Sequence, residues 1–313
     1  MTEAFDLLVL GDVNPDLVLS GGDVVPAFGQ AEHLVGHASL TVGGSGSTMA
    51  CAAARLGLSV VLCGVVGDDL FGSFMREQLA ARGVDTRGIA VDAHRPTGVT
   101  VVLSTPEDRA ILTHAGTIAD LRRELIDDDF IAAARHVHVS SYFLQGGLAP
   151  DLPEVFAAAR AGGASTSVDP NWDPSGTWDG GLLDLLRITD VFLPNAMEAT
   201  RLARTSDLET AARALADKGD VVVVKDGANG ALAAVGRDVM RAPAPDLRPV
   251  DTTGAGDAFD AGLVAGLLGG RELEGALKVA NVTGALATQA AGGVDALPTM
   301  AEVLEILGEE SAA

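Results

Sequence analysis

The chain reads as an α/β protein, with helices on both faces of a mostly parallel sheet and a small second sheet beside it. Three observations carry this. Short apolar runs that suit buried strands alternate with Ala-rich helical patterns along most of the 313 residues. Glycine-rich turns at 43–47 and 254–257 each open directly into an apolar helix. Two segments, 16–42 and 97–113, show short alternating stretches instead and break the rhythm.

Taken in order, residues 5–11, 59–66, 136–140, 165–169, 191–193 and 220–225 read as buried strands, and 231–235 as one more. Helical patterns occupy 47–56, 70–82, 152–161 and 208–218, and the C-terminal third adds 258–268, 272–290 and 300–307. Strand alternating with helix implies parallel βαβ units. The two breaking segments supply strands at 16–19, 37–42, 98–103 and 109–113. These read as antiparallel strands outside the main sheet, able to cover a site as a lid; an extension of the main sheet's edge is the other reading. No repeat, low-complexity stretch or long linker divides the chain. The expectation is one domain over 1–313, with lid segments at 16–42 and 97–113.

Composition narrows the function. Apolar residues make up 48%, enough for a substantial core. A net charge of −22 argues against a nucleic-acid partner, which needs a basic surface. It leaves room for a nucleotide, since a single phosphate chain needs only local N–H groups and a cation or two. Apolar runs are interrupted by Gly or Asp well short of a membrane span. The N-terminus carries Glu3 and Asp6 and no basic n-region. Cys51 and Cys63 sit in apolar surroundings and read as buried thiols. These points together predict a cytoplasmic enzyme with no membrane partner.

The most informative string is Asp251-Thr252-Thr253-Gly254-Ala255-Gly256-Asp257-Ala258-Phe259. Its glycines free backbone N–H groups where a helix begins, and helix N-termini attract anions. Asp257 could take a proton from a nucleophile while the N–H groups of Gly254, Ala255, Gly256 and Asp257 hold phosphoryl charge. An ordinary strand–turn–helix junction with an aspartate cap would explain a bare GxGD equally well; the full string is more specific. No P-loop motif occurs, and neither glycine-rich turn carries the third glycine of a dinucleotide fingerprint.

Three further constellations stand beside it. The turn Gly43-Gly44-Ser45-Gly46-Ser47 could present N–H groups to substrate hydroxyls, or be a simple turn with a capping serine. Asn195 and Glu198 lie on one face of a first helical turn and could position Mg²⁺ through water, or form a capping box. The turn from Lys225 through Gly227 to Gly230 could meet a nucleotide, or only join two strands.

These motifs, in this order, resemble the ribokinase-like (PfkB) family of carbohydrate kinases over nearly the whole length. The resemblance rests on Gly43-Gly44-Ser45-Gly46, on Ala52 through Gly57, on Val66-Gly67-Asp68-Asp69-Leu70-Phe71-Gly72, and on the string at 251–259. It implies a three-layer α/β/α sandwich with a β lid that often forms a homodimer contact. It implies ATP- and Mg²⁺-dependent phosphorylation of a hydroxymethyl group on a sugar, nucleoside or related alcohol. By position, Asp257 resembles the catalytic base and Gly254, Ala255 and Gly256 the anion hole. Asn14, Asp16, Gly43, Gly44 and Thr48 match substrate positions. Asn195 and Glu198 match the Mg²⁺ and phosphate motif, Lys225, Gly227 and Gly230 the nucleotide turn, and Asn281 a position near the adenine. Asp251 and Thr253 resemble a monovalent-cation (K⁺) site that some members use.

Departures bear on the acceptor. Ser45 and Thr48 stand where ribokinases commonly carry Lys and Asn, and Ser140-Ser141-Tyr142-Phe143 where they carry a carboxylate. Both argue against ribose itself. Arg109 in the lid could reach a sugar or an acidic substituent. The expected activity is phosphorylation of a small sugar. The rivals are a nucleoside kinase and an inactive sugar- or nucleotide-binding regulator on the same fold.

Overall fold

The protein is described from a computed structural model over residues 3–105, 109–290 and 292–309. The strands are β1 (Phe5–Leu10), β2 (Asn14–Gly22), β3 (Val35–Gly43), β4 (Val60–Gly67), β5 (Ile89–Asp92), β6 (Val99–Ser104), β7 (Arg109–His114), β8 (Ala134–Val139), β9 (Ser165–Val168), β10 (Val191–Phe192), β11 (Val221–Lys225), β12 (Ala231–Val235) and β13 (Asp238–Ala242). The helices are α1 (Ser45–Arg55), α2 (Leu70–Ala81), α3 (Asp128–Ala133), α4 (Leu152–Ala161), α5 (Leu182–Leu185), α6 (Ala196–Ala203), α7 (Leu208–Ala216), α8 (Ala255–Leu268), α9 (Leu273–Ala287) and α10 (Met300–Leu307).

The main sheet runs β13-β12-β11-β10-β9-β8-β1-β4-β5. Its pairs are parallel from β11 through β5, and β12 and β13 add an antiparallel edge. Strand β1 shows the layering through its period of two. Leu8 and Leu10 join an apolar cluster under α3 to α7, while Leu7 and Val9 face α1, α2, α8, α9 and α10. The result is the expected three layers. The chain leaves β1 toward β4 on one side and later returns to β8 on the other. Sheets of this kind bind ligands at the carboxyl ends of their strands, where the order reverses. Gly11-Asp12, Ser140, Asp169, Asn195 and Asp226 all lie just beyond those ends.

The small sheet runs β3-β2-β6-β7 and draws its strands from the two segments expected. Residues 106–108 of that expectation lie outside the described residues. One pairing differs from the reading above. The β2–β3 and β6–β7 pairs are antiparallel, but β2 and β6 run parallel, with Leu17 opposite Val101. The long excursion through β4, α2 and β5 between them allows a parallel seam, which a tight hairpin cannot. Strands β5 and β13 and helix α3 were not anticipated, being short and weakly patterned. No helix among the described residues is long and apolar enough to cross a membrane.

Helix α8 bears the anion-binding turn, and α9 holds it in place. Small residues let the two helices approach closely: a Cβ at Gly262 would lie 2.6 Å from Thr283 Oγ1 and 2.9 Å from Ala280 Cα. Alanine is the better helix former by about 1 kcal/mol. Overpacking against backbone costs about 1–3 kcal/mol and outweighs that gain. Gly262→Ala should therefore lower the denaturant midpoint, and an unchanged or raised midpoint would contradict this account of the helix pair.

Candidate active site

The anion-binding turn depends on Gly254, whose φ of 73° is left-handed and caps α8. A Cβ there would meet Thr48 Cγ2 at 2.9 Å and the Gly293 carbonyl at 3.0 Å. Glycine thus suits both the angle and the space. The first-turn N–H groups of Gly256 and Asp257 have no acceptor within their own helix. Asp257 sits half-buried in that turn. Burial raises its pKa well above the usual carboxylate range, the charges of Asp169 and Asp12 add to this, and Lys225 and Ser45 offset part of it.

Behind the turn lies a buried charge cluster. Lys225, at the end of β11, donates from Nζ to Asp169 Oδ2 at 2.6 Å and to Asp260 at 3.0 and 3.1 Å. All three side chains are almost fully enclosed. Burial would lower the Lys225 pKa, but Asp169, Asp260 and Glu198 outweigh it and keep the ammonium charged. Burial would raise Asp169; Lys225 and a hydrogen bond from Asp260 reverse that and hold it ionised. Asp260 is driven upward by burial, against the pull of Lys225.

Glu198 completes the cluster from α6. Asn195 Oδ1 accepts from Glu198 N at 2.9 Å, and Glu198 Oε2 accepts from Asn195 N at 2.8 Å. This is a full capping box. The pair therefore has its structural role, and the remaining carboxylate oxygen accepts from Asn195 Nδ2 at 2.6 Å. Burial, then the charge of Asp169, lifts Glu198 to about 7.

Asp12, Asn14 and Asp16 meet the Gly43–Gly44 turn. Asp12 caps α1, accepting from Gly46 N at 2.9 Å and Ser45 N at 3.1 Å. A Cβ at Gly43 would overlap the Asp16 carboxylate, and one at Gly44 would lie 2.8 Å from Asn14 Oδ1. Asn14 Nδ2 donates to Thr100 Oγ1 at 3.3 Å, while its buried Oδ1 has no partner. Burial and the neighbouring Asp12 raise Asp16 to about 7, against the pull of Arg109. Thr48, in α1, touches the space beside Gly254.

The remaining predicted residues are more dispersed. Asp251 Oδ1 accepts from Thr253 N and Oγ1, and its Oδ2 accepts from Gly292 N at 3.1 Å. These contacts, with Val250 N and Asp251 N donating to Thr288 O, fold the loop onto Thr288 and Gly292. Arg109 reaches across from β7 and donates to Thr253 Oγ1 at 2.5 Å. Asn281 Nδ2 donates to the carbonyls of Ala242 and Pro243, so this amide supports the end of β13. Gly227 and Gly230 form a tight turn at φ 55° and 89°. The Lys225 ammonium points away from that turn, into the charge cluster.

Four residues escaped sequence reasoning. Asp12 follows the first strand directly, and Asp260 stands one helical turn after Asp257, so both had a positional signal. Asp169 and Asn171 had less; Asn171 Nδ2 donates to Ser141 Oγ at 2.9 Å and approaches Ser45 Oγ at 3.4 Å.

Lys225→Met removes the one cation from this buried cluster. Breaking a buried ion pair this way costs about 3–5 kcal/mol. The loss should be greatest near neutral pH, where Asp169 is ionised, and shrink on acidification as the stranded carboxylates take up protons. Thermal melts across pH check both the size and the sign.

Comparisons with known proteins identify the family and the fold. The pfkB family carbohydrate kinase model matches residues 4–300. The chain is 30% identical to the 2-dehydro-3-deoxygluconokinase of Bacillus subtilis, covering 89% of this chain and 90% of that one. It is 35% identical to a fructokinase of Klebsiella pneumoniae, over 82% and 88%. The solved adenosine kinase of Sinorhizobium meliloti superposes with a TM-score of 0.83 at 27% identity, over 93% and 95%. With its motifs in order and its fold in common, the chain belongs to the PfkB family of carbohydrate kinases.

Proposed function

We propose that the protein transfers the γ-phosphoryl group of ATP to a primary hydroxyl of a small sugar, with Asp257 as the base. The observation that supports this best is the position of Asp257. Its carboxylate lies within reach of Asp169 and Lys225 on the one hand and of Asp12 and Ser45, at the start of α1, on the other. ATP with Mg²⁺ supplies the activated phosphoryl group when bound. Glu198 is suited to hold the metal through water, with Lys225 behind Gly256 fixing the local charge. The N–H groups of Gly256 and Asp257 would stabilise phosphoryl oxygens. Asp16 and Asn14 would orient the sugar, and Asp257 would accept the hydroxyl proton. The small sheet would act as a lid that excludes water. A phosphoryl donor of this kind suits the cytoplasm, as do the two free, buried thiols.

One observation favours a nucleoside acceptor as the second reading. Trp172 is half-exposed and packs edge-on against Trp178 at 5.2 Å, beside the Asn171 that meets Ser45. A base could stack there. Tyr142 and Trp178 are buried, however, which leaves one aromatic face and not an enclosed slot. The intact Asp257 and its glycines argue against an inert regulator.

Asp257→Asn should reduce kcat by about 10²–10⁴-fold with little change in ligand binding. In the wild type, kcat/KM should fall as pH drops through the raised pKa of Asp257, above the ordinary carboxylate value of about 4. Near-wild-type turnover of the variant on a panel of sugars and nucleosides would remove the assignment.

The lid exposes Leu40, Ile111 and Leu112. We propose that a homodimer covers them, and sedimentation should then show a dimer that Ile111→Asp dissociates; a wild-type monomer rules this out.

A further inference from the structure

We propose that His138, at the end of a buried ladder of histidine and serine side chains, is a positioning residue that sets its Nε2–H toward Asp169 and steadies that carboxylate against Lys225. The ladder stands without the kinase reading; only its effect on turnover rests on that reading.

Strands β8 and β9 run parallel in a register that places Ser165 opposite His136 and Ser167 opposite His138. Alternate residues share one face of a strand, so these four side chains form a row. It lies on the face of Leu7 and Val9, which stand opposite His136 and His138 on β1 and pack toward α1 and α8. His136 Nδ1 meets Ser165 Oγ at 2.6 Å, and its Nε2 meets Ser167 Oγ at 2.7 Å. Ser167 Oγ also meets His138 Nδ1 at 2.7 Å. His136 is 2% exposed and His138 1%. His138 Nε2 is buried and has no partner among the described residues. The row continues past the end of β9 to Asp169, the carboxylate that holds Lys225.

The protons in this row can run in two directions. Burial pushes His136 down to about 4 and His138 to about 3, so both rings are neutral and each carries one N–H. Ser167 has one proton, so it donates to one ring and accepts from the other. In one direction Ser165 donates to His136 Nδ1, His136 Nε2–H to Ser167, and Ser167 to His138 Nδ1. His138 Nε2 then bears the proton. In the other direction every bond reverses, and His138 Nε2 presents a lone pair. The charges at the two ends decide between them. Asp169 acts on His138 more strongly than His136 or Lys225 does, and an anion favours the N–H over the lone pair. At the far end Asp190 acts on His136 and favours the reverse direction. Its Oδ2, however, already accepts from Thr166 N at 2.7 Å and Oγ1 at 2.8 Å, and Arg160 lies 3.4 Å from its Oδ1. The row is therefore set with Nε2–H at the Asp169 end. His138 in turn is among the groups that hold Asp169 below the ordinary carboxylate range.

The tautomers are read from the imidazole nitrogen shifts of isotope-labelled protein at neutral pH, with His136→Gln and His138→Gln identifying the signals. Both rings should carry the proton on Nε2; a proton on His138 Nδ1, or a cationic ring, overturns the inference. The carboxyl carbon shift of Asp169, identified with Asp169→Asn, is then followed across pH. In His138→Leu, which keeps the bulk and loses the N–H, its midpoint should rise by about one pH unit. His138→Gln, whose amide N–H can stand in for Nε2–H, should bring it back. An unchanged midpoint in His138→Leu, or one that glutamine does not restore, overturns the inference. If His138→Leu does not fold, the wild-type tautomer decides. Turnover on the panel of sugars and nucleosides tests the link to the reaction: His138→Leu should cost about tenfold, and His138→Gln should recover it. Full turnover in His138→Leu overturns the positioning role. If the wild type phosphorylates no acceptor, the kinase reading fails, and the tautomer and the Asp169 midpoint still decide the inference.

Discussion

A single buried ammonium, that of Lys225, ties together the segments that make up the proposed phosphoryl side of the site. A charge enclosed this far from water has to be matched, or the fold carries a penalty of several kcal/mol. Asp169 comes from the end of β9, Asp260 from the first turns of α8, and Glu198 from the start of α6. None of these is adjacent in the chain to another. The electrostatic demand thus sets the distances between β9, β11, α6 and α8. Asp257, one turn before Asp260, inherits its position from that arrangement. The cluster also explains why neighbouring carboxylates differ: Asp169 holds its charge, while Asp260 and Asp257 are pushed toward the neutral form.

The second constraint is close approach. Gly43 and Gly44 let the carboxylate of Asp16 and the amide of Asn14 lie directly on backbone, and Gly254 lets the turn before α8 rest on Thr48 and Gly293. Gly262, Gly266 and Gly284 do the same between α8 and α9. The face built on α8 and α9 is therefore densely packed. The face built on the small sheet is more exposed, with every residue of β7 open to solvent. Dense packing on one side and exposure on the other suit the proposed site, in which the reacting groups are held on α8 and the small sheet is the cover.

Much of this was legible in the sequence, for identifiable reasons. The strand and helix rhythm follows from burial on two faces of a parallel sheet, so β1, β4, β8, β9 and β11 were readable from apolar runs alone. The loop at 251–257 was readable because positive φ and an open helix end demand glycine there. Other features left no local trace. The capping box and the metal reading of Asn195 and Glu198 use the same residues, and only the nearby Lys225 and Asp169 distinguish a charged environment from a surface cap. Lys225 read as part of a turn because its neighbours are turn residues; its inward direction is a matter of tertiary packing. The parallel β2–β6 seam was missed because strand alternation carries no sign of direction.

That seam has a consequence for how acceptor preference could be exchanged between relatives. The small sheet consists of two hairpin-like halves, β2–β3 and β6–β7, joined by parallel pairing of β2 with β6. Between the halves the chain passes through α1, β4, α2 and β5 of the main body. Neither half is a detachable module. A chimera that takes one hairpin from another protein keeps the recipient's partner strand across the seam, and its registry and side-chain faces must match in trans. If the small sheet reads the acceptor as proposed, that recognition is inherited as a pair of distant segments that have to change together.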